Sequence, residues 1–207
     1  MSGYEIASLA DIESVKAIGT LRWTPVRKHF GITAFGISAY TAAEVGQDVI
    51  EEHTEERLGH EELYFVVAGR ATFVLDGEEK ELAAGSAVFL RDPKVKRYAR
   101  AEEPGTTVLA IGGKPGSHEV SAWEYHFMAY GIVDEDPEAA IAEIQAGLAE
   151  NPDHAALHFH LACIYCRAGR LDDAGVALDR ALELDPELQT WADEDEDLEP
   201  LRVARKT

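Results

Sequence analysis

The segment GHEELYFVVAGRATFVLDGEEKELAAGSAVFLRDP, from Gly59 to Pro93, constrains this chain more than any other. It alternates short apolar runs rich in β-branched and aromatic residues with glycine-bearing breaks. Such runs read as strands joined by tight turns. Asp76-Gly77 between two of them is a hairpin signal, because a tight β-turn needs positive φ and Gly supplies it without strain. The same texture extends to both sides, in ITAFGISAY before it and in TTVLAIGG after it. Many short strands at near-regular spacing, with few helical patterns between them, predict a sandwich or barrel.

Beyond about Asp134 the texture changes. DPEAAIAEIQAGLAENPDHAALHFHLACIYCRAGRLDDAGVALDRALELDPE is rich in Ala and Leu, with apolar residues three and four apart, the period of an amphipathic helix. Asp136-Pro137 reads as a helix start, with Asp136 as cap and Pro137 in the first turn. Gly169 closes one helix and Leu171-Asp172-Asp173 opens the next. These signals predict two parts, a β-domain over residues 1–130 and a helical region over 131–207, with the junction between Trp123 and Asp136.

The charge is uneven. The formal net charge is −20, of which −16 falls between Asp134 and Pro200. A surface this acidic repels phosphate backbones, so no nucleic-acid partner is expected. No apolar run reaches the length of a membrane span. The first residues lack the basic start and apolar stretch of a secretory signal. With Cys163 and Cys166 the only cysteines, a cytoplasmic location is expected.

Spacing suggests a resemblance for each part. Gly77, five residues, then Ala83-Ala84-Gly85 resembles the second motif of the cupins, with Ala83 in place of its Pro. Glu62, six residues, then Gly69 resembles the end of their first motif, and Gly46 with His53 its beginning. The resemblance covers residues 20–124. It implies a jelly-roll β-barrel with a central pocket, often dimeric. In the helical part, Asn151-Pro152 and Asp185-Pro186 stand 34 residues apart, with Leu161, Ala162, Tyr165, Ala174, Leu178 and Ala181 between them. This resembles a tetratricopeptide repeat over residues 137–187. One repeat and a fragment cannot bury their faces alone, so contact with the β-domain or a second chain is expected.

The cupin resemblance also implies a site. Metal-binding cupins take two His and a Glu from the first motif and a His from the second. Here His53, Glu55, His60 and Glu62 are the candidate ligands, a mixed imidazole and carboxylate set that suits one divalent Zn, Fe, Mn or Ni ion. On a regular strand His60 and Glu62 face the same way. The second-motif His is missing: Val88 holds its place in the strict spacing and Arg97 in the looser one. Arg cannot ligate, since it stays protonated. The competing reading is that Arg97 neutralises Glu62 or Glu55 directly. Candidate pocket residues are Glu62, Tyr64, Arg97, Trp23 and Phe35, with Tyr40 as a further aromatic.

The expected function is a barrel that binds a small molecule, anionic in one version, with helices that mediate dimerisation or dock a protein. The rival is a metal-dependent enzyme of oxygenase or isomerase/lyase type. A third reading, a scaffold with a filled barrel, predicts no cavity of ligand size. Cys163-x-x-Cys166 lies mid-helix, where buried packing residues are expected rather than a redox pair. The stretch from Ala192 to Pro200 reads as a solvated cap or tail.

Overall fold

The computed structural model describes residues 5–16, 20–118 and 120–206. Its contacts divide the chain into two compact units, Met1–His118 and Glu119–Thr207.

Among the described residues the first unit contains ten strands: β1 (Val15–Lys16), β2 (Arg22–Thr24), β3 (Gly36–Thr41), β4 (Asp48–His53), β5 (Glu61–Ala68), β6 (Arg70–Leu75), β7 (Glu78–Ala83), β8 (Ala87–Leu90), β9 (Arg97–Ala101) and β10 (Thr107–Gly113). A short helix, α1 (Val26–Phe30), links β2 to β3. Pairing is antiparallel throughout. One sheet runs β1-β2-β3-β10-β5-β8 and the other β4-β9-β6-β7. The chain passes repeatedly between them, so each sheet covers the apolar face of the other, as in a jelly-roll barrel. Alternation along the strands selects the inner set. Tyr64 and Val66 of β5, Ala71 and Phe73 of β6, Ala99 and Ala101 of β9 and Val108 of β10 form one buried core. Ile12, Val26 and Ala39 form a smaller cluster.

The turns follow from two residue choices. Asp76 and Gly77 both have positive φ, 49° and 89°, and bring Leu75 opposite Glu78. Two consecutive positive φ values give the backbone twist that a two-residue hairpin needs. Gly69, between β5 and β6, has φ 72°. A Cβ there would lie 2.8 Å from the Cα of Thr106, so the close approach admits no side chain.

The second unit holds α2 (Ala122–Tyr130), α3 (Pro137–Glu150), α4 (Ala155–Arg167), α5 (Leu171–Leu184), α6 (Gln189–Glu194) and α7 (Glu199–Ala204). Asp136 caps α3 by accepting from the Ala139 N–H, with Pro137 in the first turn. Leu161, Ala162, Tyr165, Ala174, Leu178 and Ala181, the residues of the repeat pattern, are all buried. The unit has a core of its own. Ala122 and Ala129 of α2 belong to it, as do Leu198 and Leu201 near the end of the unit. The acidic segment read as a cap or tail is therefore a packed cap: Arg202 donates to the carbonyls of Ala192 and Asp195 and holds it in place. Cys163 and Cys166 are buried within α4, and burial raises both thiols above their usual range.

Candidate functional site

A polar cluster sits where β4, β5 and β9 meet. His53 ends β4 and stands opposite Arg97, the first residue of β9. Glu62 and Tyr64 share one face of β5 by strand parity. Tyr64 donates its hydroxyl to Glu62 Oε2 at 2.5 Å. The Nη2 of Arg97 lies 3.2 Å from the same oxygen. That contact is a charge pairing rather than an aligned hydrogen bond, since Nη2 and Nε have no hydrogen-bond acceptor among the described residues. Nη1 donates to the Val95 carbonyl at 3.0 Å. Arg97 is 0% exposed. A permanent cation so deep needs an anion beside it, and Glu62 provides one.

His53 completes the group. Its Nδ1 lies 2.7 Å from the Glu51 carbonyl, which makes Nδ1 the protonated nitrogen and turns Nε2 toward the cluster. Nε2 is 3.4 Å from the Tyr64 hydroxyl and 3.8 Å from carboxylate oxygens of both Glu55 and Glu62. The Glu62 carboxylate raises the His53 pKa, and partial burial opposes it more weakly. For Glu62, burial alone would push the carboxyl up, but His53, Tyr64 and Arg97 together outweigh it and hold it below its usual value. Burial, then donation to Glu62, drives the Tyr64 phenol far above its ordinary range.

Ligand atoms of His53, Glu55 and Glu62 lie within 4.8 Å of one another. In number and type they fit a divalent ion, and the Oε2 of Glu55 is buried without a hydrogen-bond partner. Arg97 weighs against that ion, because a second cation beside Glu62 meets its charge at close range. His60 does not join this trio. It precedes the first residue of β5 and lines the same cavity as Glu62, in keeping with strand parity, but its ring is not within ligand distance of the trio.

That cavity has a volume of about 340 Å³. Trp23 and Tyr40, cross-strand partners on β2 and β3, line it together with Ser38, His60, Ala110 and Glu62. Arg27 and Lys28 reach it from α1. Gly112 leaves room for Glu62, since a Cβ there would lie 3.2 Å from the Glu62 Cγ. Glu62 is thus both cavity wall and centre of the polar cluster. The filled-barrel reading expects no cavity of ligand size, and this space weighs against it. Phe35 lies elsewhere, in a separate groove with Glu61, Leu63 and Phe89. Arg27, Lys28 and Ser38 were not legible as site residues: a five-residue helix after Pro25 carries no motif, and Ser38 is signalled only by sharing strand parity with Tyr40.

Fold and site together define a class: an antiparallel double-sheet barrel with a His/Glu/Arg cluster, followed by a tetratricopeptide-type helical unit. Residues 134–192 match the tetratricopeptide repeat family. Solved structures similar to the chain are cupins. One is a cupin protein from Bacteroides fragilis, 25% identical over 58% of this chain and 92% of that one, with a TM-score of 0.46. Another is a sugar phosphate isomerase of the cupin superfamily from Silicibacter pomeroyi, 16% identical over 53% and 76%, with a TM-score of 0.44. A third is the nucleoside dehydratase Pac13 from Streptomyces, 14% identical over 54% and 82%, with a TM-score of 0.41. No curated protein sequence matches the chain. Among the described residues, no helix is long and apolar enough to cross a membrane.

Proposed function

We propose that the barrel unit binds a small organic molecule in the cavity that ends on Glu62. The observation that carries this reading is the double role of that carboxylate. It faces the cavity while Tyr64 and Arg97 fix its position and charge from behind. Paired aromatics with a few converging polar groups are the usual make-up of a ligand pocket, and this one is at the small end of the common range. Substituting Ala110→Leu, on the cavity wall and opposite Tyr64 in register, fills the cavity while keeping every charged and hydrogen-bonding side chain of the cluster. In a thermal-shift screen of organic acids, sugars and nucleosides, compounds that stabilise the wild-type chain should lose their effect on Ala110→Leu. Hits that persist there would place binding elsewhere and sink the reading.

A second reading draws support from the buried, unpartnered oxygen of Glu55. In it His53, Glu55 and Glu62 hold a divalent Zn, Fe, Mn or Ni ion, which when bound supplies Lewis-acid polarisation of a substrate oxygen. The helical unit serves protein contact in either case, with homodimerisation the first candidate. The exposed apolar side chains Trp123, Phe127 and Tyr130 of α2 support it. Sedimentation of the full chain at micromolar concentration should give twice the chain mass, and a monomer would count against it.

A further inference from the structure

We infer that the ligand of this cavity is a small hydroxylated anion, its acidic group held by Arg27 and Lys28 and a hydroxyl held by Glu62. The inference rests on the cavity being the ligand site and adds the chemistry of what enters it. Arg27 and Lys28 are both exposed, and neither forms an ion pair among the described residues. Arg27 makes only a 3.2 Å hydrogen bond to the Ile32 carbonyl. Elsewhere in the unit Arg70, Lys80, Lys96, Arg97 and Arg100 are each paired with a carboxylate, whereas Lys16, Arg22, Arg57, Arg91, Lys94 and Lys114, like Arg27 and Lys28, form no ion pair among the described residues. What sets Arg27 and Lys28 apart is their place on the wall of this cavity, in a chain of net charge −20 whose overall field repels anions. A local positive wall is what lets an anion settle there.

Glu62 does not cancel that wall. Arg97 already answers its charge at 3.2 Å, so what the carboxylate offers the cavity is acceptor capacity. Its Oε2 is taken by Tyr64. Its Oε1 accepts no hydrogen bond from the described residues and lies on the side of Gly112, which lines the cavity. The complement of a free carboxylate oxygen is a hydroxyl donor. On the same cavity lining, Trp23 and Tyr40 offer flat apolar walls to the carbon skeleton. By this chemistry the acidic group is a carboxylate or a phosphate, both anions that Arg and Lys bind.

Calorimetric titration of the full chain with gluconate, glucose 6-phosphate and glucose separates the cases. At least one anion should bind about tenfold or more tightly than glucose. The surface double variant Arg27→Ala/Lys28→Ala should erase that preference and leave the circular dichroism unchanged. Added salt should weaken the anion alone. Which anion binds distinguishes carboxylate from phosphate. Glucose binding as well as either anion, or an anion preference that survives the double variant, overturns the inference. Glu62→Gln keeps the two levels apart. If it weakens the binding of every probe while charge makes no difference, the cavity reading stands and the anion assignment fails. If anions bind through Arg27 and Lys28 with no response to Glu62→Gln or Ala110→Leu, the cavity reading fails. If none of the three probes binds at millimolar concentration, the anion assignment fails and the wider screen decides the cavity.

Discussion

At the scale of single residues the site turns on one ion pair. Arg97 is wholly enclosed, and its partner Glu62 is nearly so. Glu62 also has Tyr64 at 2.5 Å and His53 at 3.8 Å, but Arg97 has no second carboxylate within ion-pair distance among the described residues. Removing one member of such a pair costs more than the pair itself contributes. Arg97→Met should therefore destabilise the chain by about 3–5 kcal/mol in urea unfolding, and adding Glu62→Gln should recover much of the loss. Equal destabilisation by single and double variants would show that Arg97 matters through packing alone. The identity of this residue was readable from the looser motif spacing. Its burial was not, because a position four residues after a Pro does not reveal which way the following strand turns. His60 is the converse case: parity rightly puts it on one cavity wall with Glu62, but parity fixes a face and not the distance that a shared ligand set needs.

At the scale of elements, the strands and turns of the barrel were largely legible, since alternation, Asp76-Gly77 and Gly69 each act locally. The helical ends were less so. The α2 segment carries aromatic residues on its exposed side, which masks its helical period. The cap after Ala192 looks solvated because acids surround the two leucines it buries. Inside this unit, His160 of α4 packs its ring 4.1 Å from that of His126 and 5.0 Å from that of Trp123. Burial, followed by the neighbouring His126 and His154, pushes its pKa down to about 3. The folded state thus refuses a proton that the unfolded chain accepts. Above pH 6.5, the ordinary value, the contribution is fully present. Between 6.5 and about 3 the unfolded state binds more protons, so stability falls as pH falls. The slope should reach about 1.4 kcal/mol per pH unit at most. His160→Phe should flatten the profile between pH 6.5 and 4 in chemical unfolding followed by far-UV circular dichroism, where the helices dominate the signal. An unchanged slope would assign the acid sensitivity to other groups.

At the scale of the whole molecule, two units of different construction each hold their own core, and the net charge of −20 is concentrated in the helical one. The chemistry lies in the barrel unit, where charges are balanced within a few ångströms. His53 and Arg97 face Glu55 and Glu62, two cations for two anions when His53 is protonated. A divalent ion would upset that balance, whereas an organic ligand touching the free side of Glu62 would not. The account is therefore tested most directly by elemental analysis of full-length chain purified without a polyhistidine tag. It predicts divalent metal well below one equivalent, unaffected by His53→Ala. One equivalent of metal in the wild-type chain, lost in His53→Ala, would contradict it and make the barrel a metal centre.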